Sequence, residues 1–166
     1  MITIRAFAPE NASTDLALPL TWGQRCHSRL HTHLPDGEVL ALRLPHGTTL
    51  SHGDLLSSDD GRILRVVAAP EPLLEVRADH GLALTRAAYH LGNRHGSVEI
   101  GPDCIRLPED PILMGMLEGL GCRVSRVQAS FEPERGAYGH GHSHGHGHDS
   151  GTSDRHAPGQ HIHEFA

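Results

Sequence analysis

Along residues 1–70, apolar and polar positions alternate in short runs separated by turn residues. "TIRAF" (3–7) opens, and "RCHSRLHTHL" (25–34) alternates up to a turn at Pro35, Asp36 and Gly37. "EVLALRL" (38–44) then runs to Pro45, and "DLLSSDDGRILRVVAA" (54–69) has the form strand, Asp-Asp-Gly turn, strand. No stretch in this part shows a helical period. The pattern predicts a small, mostly antiparallel β-domain over residues 1–70 with one face buried.

Beyond Pro70 and Pro72 the period changes. "LLEVRA" (73–78) reads as a strand, and Leu84, Ala87, Ala88 and Leu91 then recur at helical spacing, with Gly92 and Asn93 as the stop. A short strand "SVEI", a turn at 101–103 and a strand "CIRL" follow. In "EDPILMGMLEGLG", Asp110 suits the N-cap and Pro111 the first helical position; Ile112, Met116, Leu117 and Leu120 are expected to form the apolar face. "CRVSRVQASF" closes as a strand. The order βαββαβ predicts a ferredoxin-like domain over residues 71–138, two helices on one face of an antiparallel sheet. From residue 139 to 166 the apolar content collapses, and a segment of Gly, His, Ser and Asp cannot bury enough surface to offset its ordering entropy. The expected fold class is therefore α+β: an N-terminal antiparallel β-domain, a ferredoxin-like domain and a disordered His-rich tail.

Composition narrows the chemistry. All 14 basic residues are Arg, against 20 acidic ones, for a formal charge of -6. No basic cluster stands out to neutralise phosphates, so neither nucleic acid nor an anionic membrane is an expected partner; the spaced series Arg25, Arg29 and Arg43 reads as a solvated strand face. The three cysteines form no CxxC, which fits a reducing compartment, and no signal-peptide pattern or membrane-length apolar run is present. The cytoplasm is the expected location. No nucleophile elbow, HExxH or phosphate loop supports an enzyme.

Histidine is the outlier, at 16 residues. His140, His142, His144, His146 and His148 alternate with Gly or Ser, so an extended backbone presents their rings along one edge. Flexible, equivalent imidazoles capture borderline divalent ions with little selectivity, Ni2+, Cu2+ and Zn2+ alike. A solubilising tail or an appended tag is the other reading. His161 and His163 lie in the last piece, "GQHIHEFA". In "AYHLGNRHG" (88–96), His95 falls just past the helix stop, where a side chain is exposed; it is either a plain surface residue or part of a site completed by water, tail or a second chain. His90 reads as a packing residue. In "CHSRLHTHL", His27, His31 and His33 share a strand face with Arg25 and Arg29, either simply solvated or an accessory metal site, while Cys26 is expected in the core.

The run "GRILRVVAAPEPLLEV", the segment "AYHLGNRH", the helix "DPILMGMLEGLG" with "CRVSRVQASFEPERGAYG" after it, and the His-rich tail together resemble the UreE family of urease accessory proteins. The likeness covers nearly the whole chain. It implies a nickel metallochaperone with a peptide-binding type of N-terminal domain and a ferredoxin-like domain that forms a homodimer. It also implies His95 as the nickel ligand, meeting its copy near a two-fold axis, with His140, His142, His144, His146, His148, His161 and His163 completing or feeding the site. Implied partners are the urease accessory GTPase and the apo-urease accessory complex. The alternative is a cytoplasmic His-rich metal buffer with no delivery role.

Overall fold

The computed structural model describes residues 1–134. Strands β1 (Ile2–Phe7), β2 (Ala17–Leu20), β3 (Arg29–His33), β4 (Val39–Arg43), β5 (Leu55–Ser58) and β6 (Ile63–Ala68) form one sheet in the order β2-β6-β5-β1-β4-β3. Leucines and isoleucines from alternate positions, among them Ile4, Leu18, Leu40, Leu56 and Leu64, are fully buried in a single cluster. Each such side chain contributes about 1.5–3 kcal/mol when removed from water.

This sheet is mixed rather than mostly antiparallel. β1 pairs with β4 and β2 pairs with β6 in parallel, while β1–β5, β3–β4 and β5–β6 are antiparallel. Hairpin turns reveal antiparallel neighbours locally, whereas parallel partners are joined by long connections that leave no local mark. β2 carries Pro19 and lies at a sheet edge, where the missing N–H costs no ladder bond.

A four-residue helix, α1 (Trp22–Arg25), interrupts the stretch that the alternation assigns to a strand. Thr21 and Gln24 close it with a reciprocal capping box. The strand consequently starts only at Arg29. Arg25 is fully buried, and Cys26 and His27 lie exposed in the connection, so Cys26 is not a core residue and Arg25 is not on a solvated face.

Strands β7 (Glu71–Arg77), β8 (Glu99–Ile100), β9 (Ile105–Pro108) and β10 (Arg123–Ala129) form a second, antiparallel sheet in the order β10-β7-β9-β8. Helix α2 (Gly81–Gly92) follows β7, and α3 (Pro111–Gly119) follows β9. The class is thus α+β, and the second part runs βαββαβ. Leu74 and Val76 pack with Ala83, Ala87, Leu91, Ile105, Leu107 and Leu117 into one core. Glu75, Arg106 and Glu99 stand opposite one another in register and pair as ions, with Arg77 adding to Glu75.

Asp110 caps α3, accepting from the amides of Ile112 at 2.7 Å and Leu113 at 3.0 Å, with Pro111 at the first position. The core-facing side of α3 keeps Met116 and Leu117 of the expected face and takes Leu113 in place of Ile112. Leu113, Met116 and Leu117 face the core, whereas Ile112 is 83% exposed. His80 caps α2, its ring nitrogen accepting from the amide of Ala83 at 3.4 Å. Among the described residues no helix is long and apolar enough to cross a membrane.

Candidate metal centre

Helix α2 delivers its C-terminus to the loop that carries His95. Ala83, Ala87 and Leu91 are buried on one stripe, which leaves Tyr89 exposed and His90 half-buried, with their rings edge to face at 5.4 Å. Asn93 ends the helix in a right-handed conformation, and the amides of Arg94 and His95 continue to bond backward to Leu91 and Gly92. The chain then reverses at His95, whose φ is 54°. Among the described residues, His95 is the one non-glycine with positive φ. The left-handed region costs a residue with a Cβ about 1–2 kcal/mol, and helices usually place Gly or Asn there. Gly92 and Asn93 stand nearby, yet the turn falls on an imidazole.

The His95 side chain is exposed and makes no hydrogen bond or ion pair to a described residue, so both ring nitrogens are open to a ligand. Among the described residues there is no group of three or more His, Cys, Asp or Glu able to hold a metal ion. His140, His142, His144, His146, His148, His161 and His163 lie outside the described residues.

The remaining histidines are dispersed. His31 and His33 share the exposed face of β3, whereas His27 belongs to the connection after α1. His52 accepts from the Ala68 amide at 3.2 Å, and His80 serves as the helix cap. Cys104 and Cys122 are buried; burial pushes the Cys122 thiol pKa up and keeps it protonated.

The chain beyond β10 is secured beside the His95 loop. The amide of Glu134 donates to the Val98 carbonyl at 2.8 Å, and the amide of Glu132 donates to Glu99 Oε2 at 2.6 Å. Phe131 is fully buried against Trp22, ring edge to face at 6.3 Å. Trp22 in turn donates from its indole to Ser97 at 3.1 Å and from its main chain to Glu71 at 2.7 Å. The buried Arg25 guanidinium lies over the Trp22 ring at 5.2 Å, donates to the Phe131 carbonyl and sits 2.9 Å from Glu132 Oε1. That last contact is an ion pair without hydrogen-bond alignment, and Nε has no acceptor among the described residues. Periodicity concealed this knot. The Thr-x-x-Gln spacing at Thr21–Gln24 is the one sequence signal that marks α1.

Two family models match the chain. Residues 3–69 match the N-terminal domain of the UreE urease accessory protein, and residues 71–163, more than half of the chain, match its C-terminal domain. The chain belongs to the UreE urease accessory protein family. Urease accessory protein UreE of Burkholderia pseudomallei (strain 1710b) is 55% identical over 123 residues, which is 74% of this chain and 61% of that protein. The Burkholderia thailandensis protein of the same name is 54% identical over 122 residues, 74% of this chain and 57% of that relative. The chain therefore matches about three-fifths of the length of these UreE relatives. The members of this family are named as urease accessory proteins.

Proposed function

We propose that this protein carries nickel for urease maturation. In this reading, His95 from each of two chains grips one Ni2+ near a two-fold axis. The tail histidines complete or feed that site, and the ion passes to apo-urease through its accessory complex and GTPase. Residues 71–138 serve as a ferredoxin-like dimerisation domain, residues 1–70 as a partner-binding β-domain, and residues 139–166 as the ligand-supplying tail.

The observation that carries the reading is His95 itself: an imidazole with no partner among the described residues, at a backbone position where glycine would be cheaper. A lone ligand needs a second source, and a homodimer supplies an identical one. Leu82 and Tyr89, two turns apart on α2 and both exposed, give an apolar border that fits a second copy. The chain leaves the second sheet beside the His95 loop, where the Glu134 amide donates to the Val98 carbonyl, which supports a role for the tail that follows. Two imidazoles with exchangeable remaining positions hold an ion yet release it by stepwise ligand substitution. Full enclosure would defeat delivery.

Nickel, rather than copper or zinc, follows from the family's role, because imidazole sites of this kind take Cu2+ more strongly. Calorimetric titration of the full chain with Ni2+ tests the reading. Imidazoles bind metal only when neutral, so affinity should fall between neutral buffer and about pH 5.5. Replacing the tail histidines by Ser should lower stoichiometry and leave a tight event. An unchanged affinity on acidification, or complete loss on tail replacement, would contradict it.

A further inference from the structure

Strand β3 ends the six-stranded sheet and pairs only with β4 among the described residues. Its hydrogen-bond parity can be read from both ends of the pairing. The Leu44 amide donates to the Ser28 carbonyl at 2.8 Å and the Leu34 amide to the Glu38 carbonyl at 2.9 Å. Hydrogen-bonded pairs alternate in an antiparallel ladder, so residues 28, 30, 32 and 34 direct their main chain toward β4. The N–H and C=O groups of Arg29, His31 and His33 therefore point out of the free edge. The side chains of the same three residues are all exposed on one face.

That face is cationic across three strands. Arg29 stands directly opposite Arg43, in a non-hydrogen-bonded pair where Cα atoms approach to about 4.5 Å. Arg5 is the next residue after Ile4, whose parallel partner Leu42 immediately precedes Arg43. Three guanidiniums thus occupy neighbouring positions on β1, β4 and β3. None has a hydrogen bond or ion pair with a described residue; Arg65 and Arg86 share that condition, whereas Arg25, Arg62, Arg77, Arg106, Arg123 and Arg126 each have a carboxylate. With His31 they line a shallow concavity of about 490 Å3. Like charges directly opposite destabilise a sheet, and no carboxylate among the described residues pairs with them, in a chain with six more acidic than basic residues.

We propose that the β3 edge docks an extended segment of another protein that bears carboxylates at alternate positions. The outward main-chain groups of Arg29, His31 and His33 supply strand-to-strand hydrogen bonds, and the arginine row supplies charge selection. A second copy of the same edge offers no carboxylate at its alternate positions Arg29, His31 and His33, so it matches the arginine row less well than an acidic segment does. This docking rests on the partner-binding role proposed for residues 1–70 and names its edge and ligand chemistry; the edge shares no residue with the His95 loop, so metal binding can fail while docking stands.

The test is fluorescence anisotropy of the full chain with labelled Thr-Glu-Val-Glu-Val-Glu-Thr, in chelator so that no metal bridges the two. The Glu peptide should bind, its Lys counterpart should not, and added salt should weaken binding. The exposed double variant R29E/R43E should lose about tenfold or more, and R29Q/R43Q a smaller factor in the same direction. Two further peptides, N-methylated at odd or at even residues, should differ sharply, because a single edge uses one parity of amides. The proposal is overturned if the Glu peptide fails to bind, if both charge variants bind as the parent does, if the two methylated peptides behave alike, or if a single-stranded oligonucleotide binds in preference.

Discussion

The guanidinium of Arg25 donates to the main-chain carbonyl of Phe131, 106 positions further along the chain. A residue of the first sheet's connecting helix thereby holds the strand exit of the second. The charge is tolerable in a buried position because Glu132 stands 2.9 Å away and the Trp22 face covers the group.

Replacing Arg25 by Met should cost about 1–3 kcal/mol in denaturant unfolding, since it orphans the Phe131 carbonyl. The larger penalty of a stranded buried charge does not arise, because Glu132 is 46% exposed. Arg25→Lys should not restore the loss, as an ammonium cannot meet carbonyl, carboxylate and indole together. Unfolding curves that superimpose on the parent's would show that the contact contributes nothing.

At His95, backbone and side chain make separable contributions. Glycine at this position relieves about 1–2 kcal/mol of left-handed strain but adds about 0.5–1 kcal/mol of backbone entropy to lose on folding. His95→Gly should therefore match or slightly exceed the parent in thermal stability while losing tight Ni2+ binding. A marked fall in Tm would mean that the imidazole has a packing role.

Arg62 couples acid stability to the first sheet. It pairs with Glu38 at 2.8 Å and with Asp60 at 2.6 Å, and these contacts hold both carboxyls below their ordinary range. For Glu38 the depression starts from an ordinary value of 4.5 and is caused first by the Arg62 hydrogen bond. Groups depressed in the folded state stabilise it above their unfolded pKa, and that contribution fades as pH falls through the folded value. The stability difference between parent and Arg62→Gln should accordingly be largest above about pH 4.5 and shrink below it. A difference constant from pH 7 to about 3 would contradict the assignment.

Much of this arrangement was legible in the sequence, for reasons that differ by element. The second half announced itself through helical spacing at Ala87 and Leu91, the Asp110–Pro111 start, and strands broken by Gly and Asp turns. α1 stayed hidden because four residues cannot display a period, and β2 because Pro19 disguises an edge strand. Arg25 looked like one more charge on an alternating strand; its burial depends on Trp22 and Phe131, brought together only by the fold. His95 was marked by its place after a helix stop. Its left-handed backbone was not, since the neighbouring Gly92 and Asn93 are the residues that ordinarily take that role.

Sedimentation of the full chain with titrated Ni2+, read alongside metal content, bears most directly on the pooling of His95 between two copies. A dimer holding one tight nickel per two chains, with the tight ion lost in His95→Ala and the dimer retained, is the expected result. A species that stays monomeric with nickel bound, or a His95→Ala dimer that keeps its tight nickel, would contradict it.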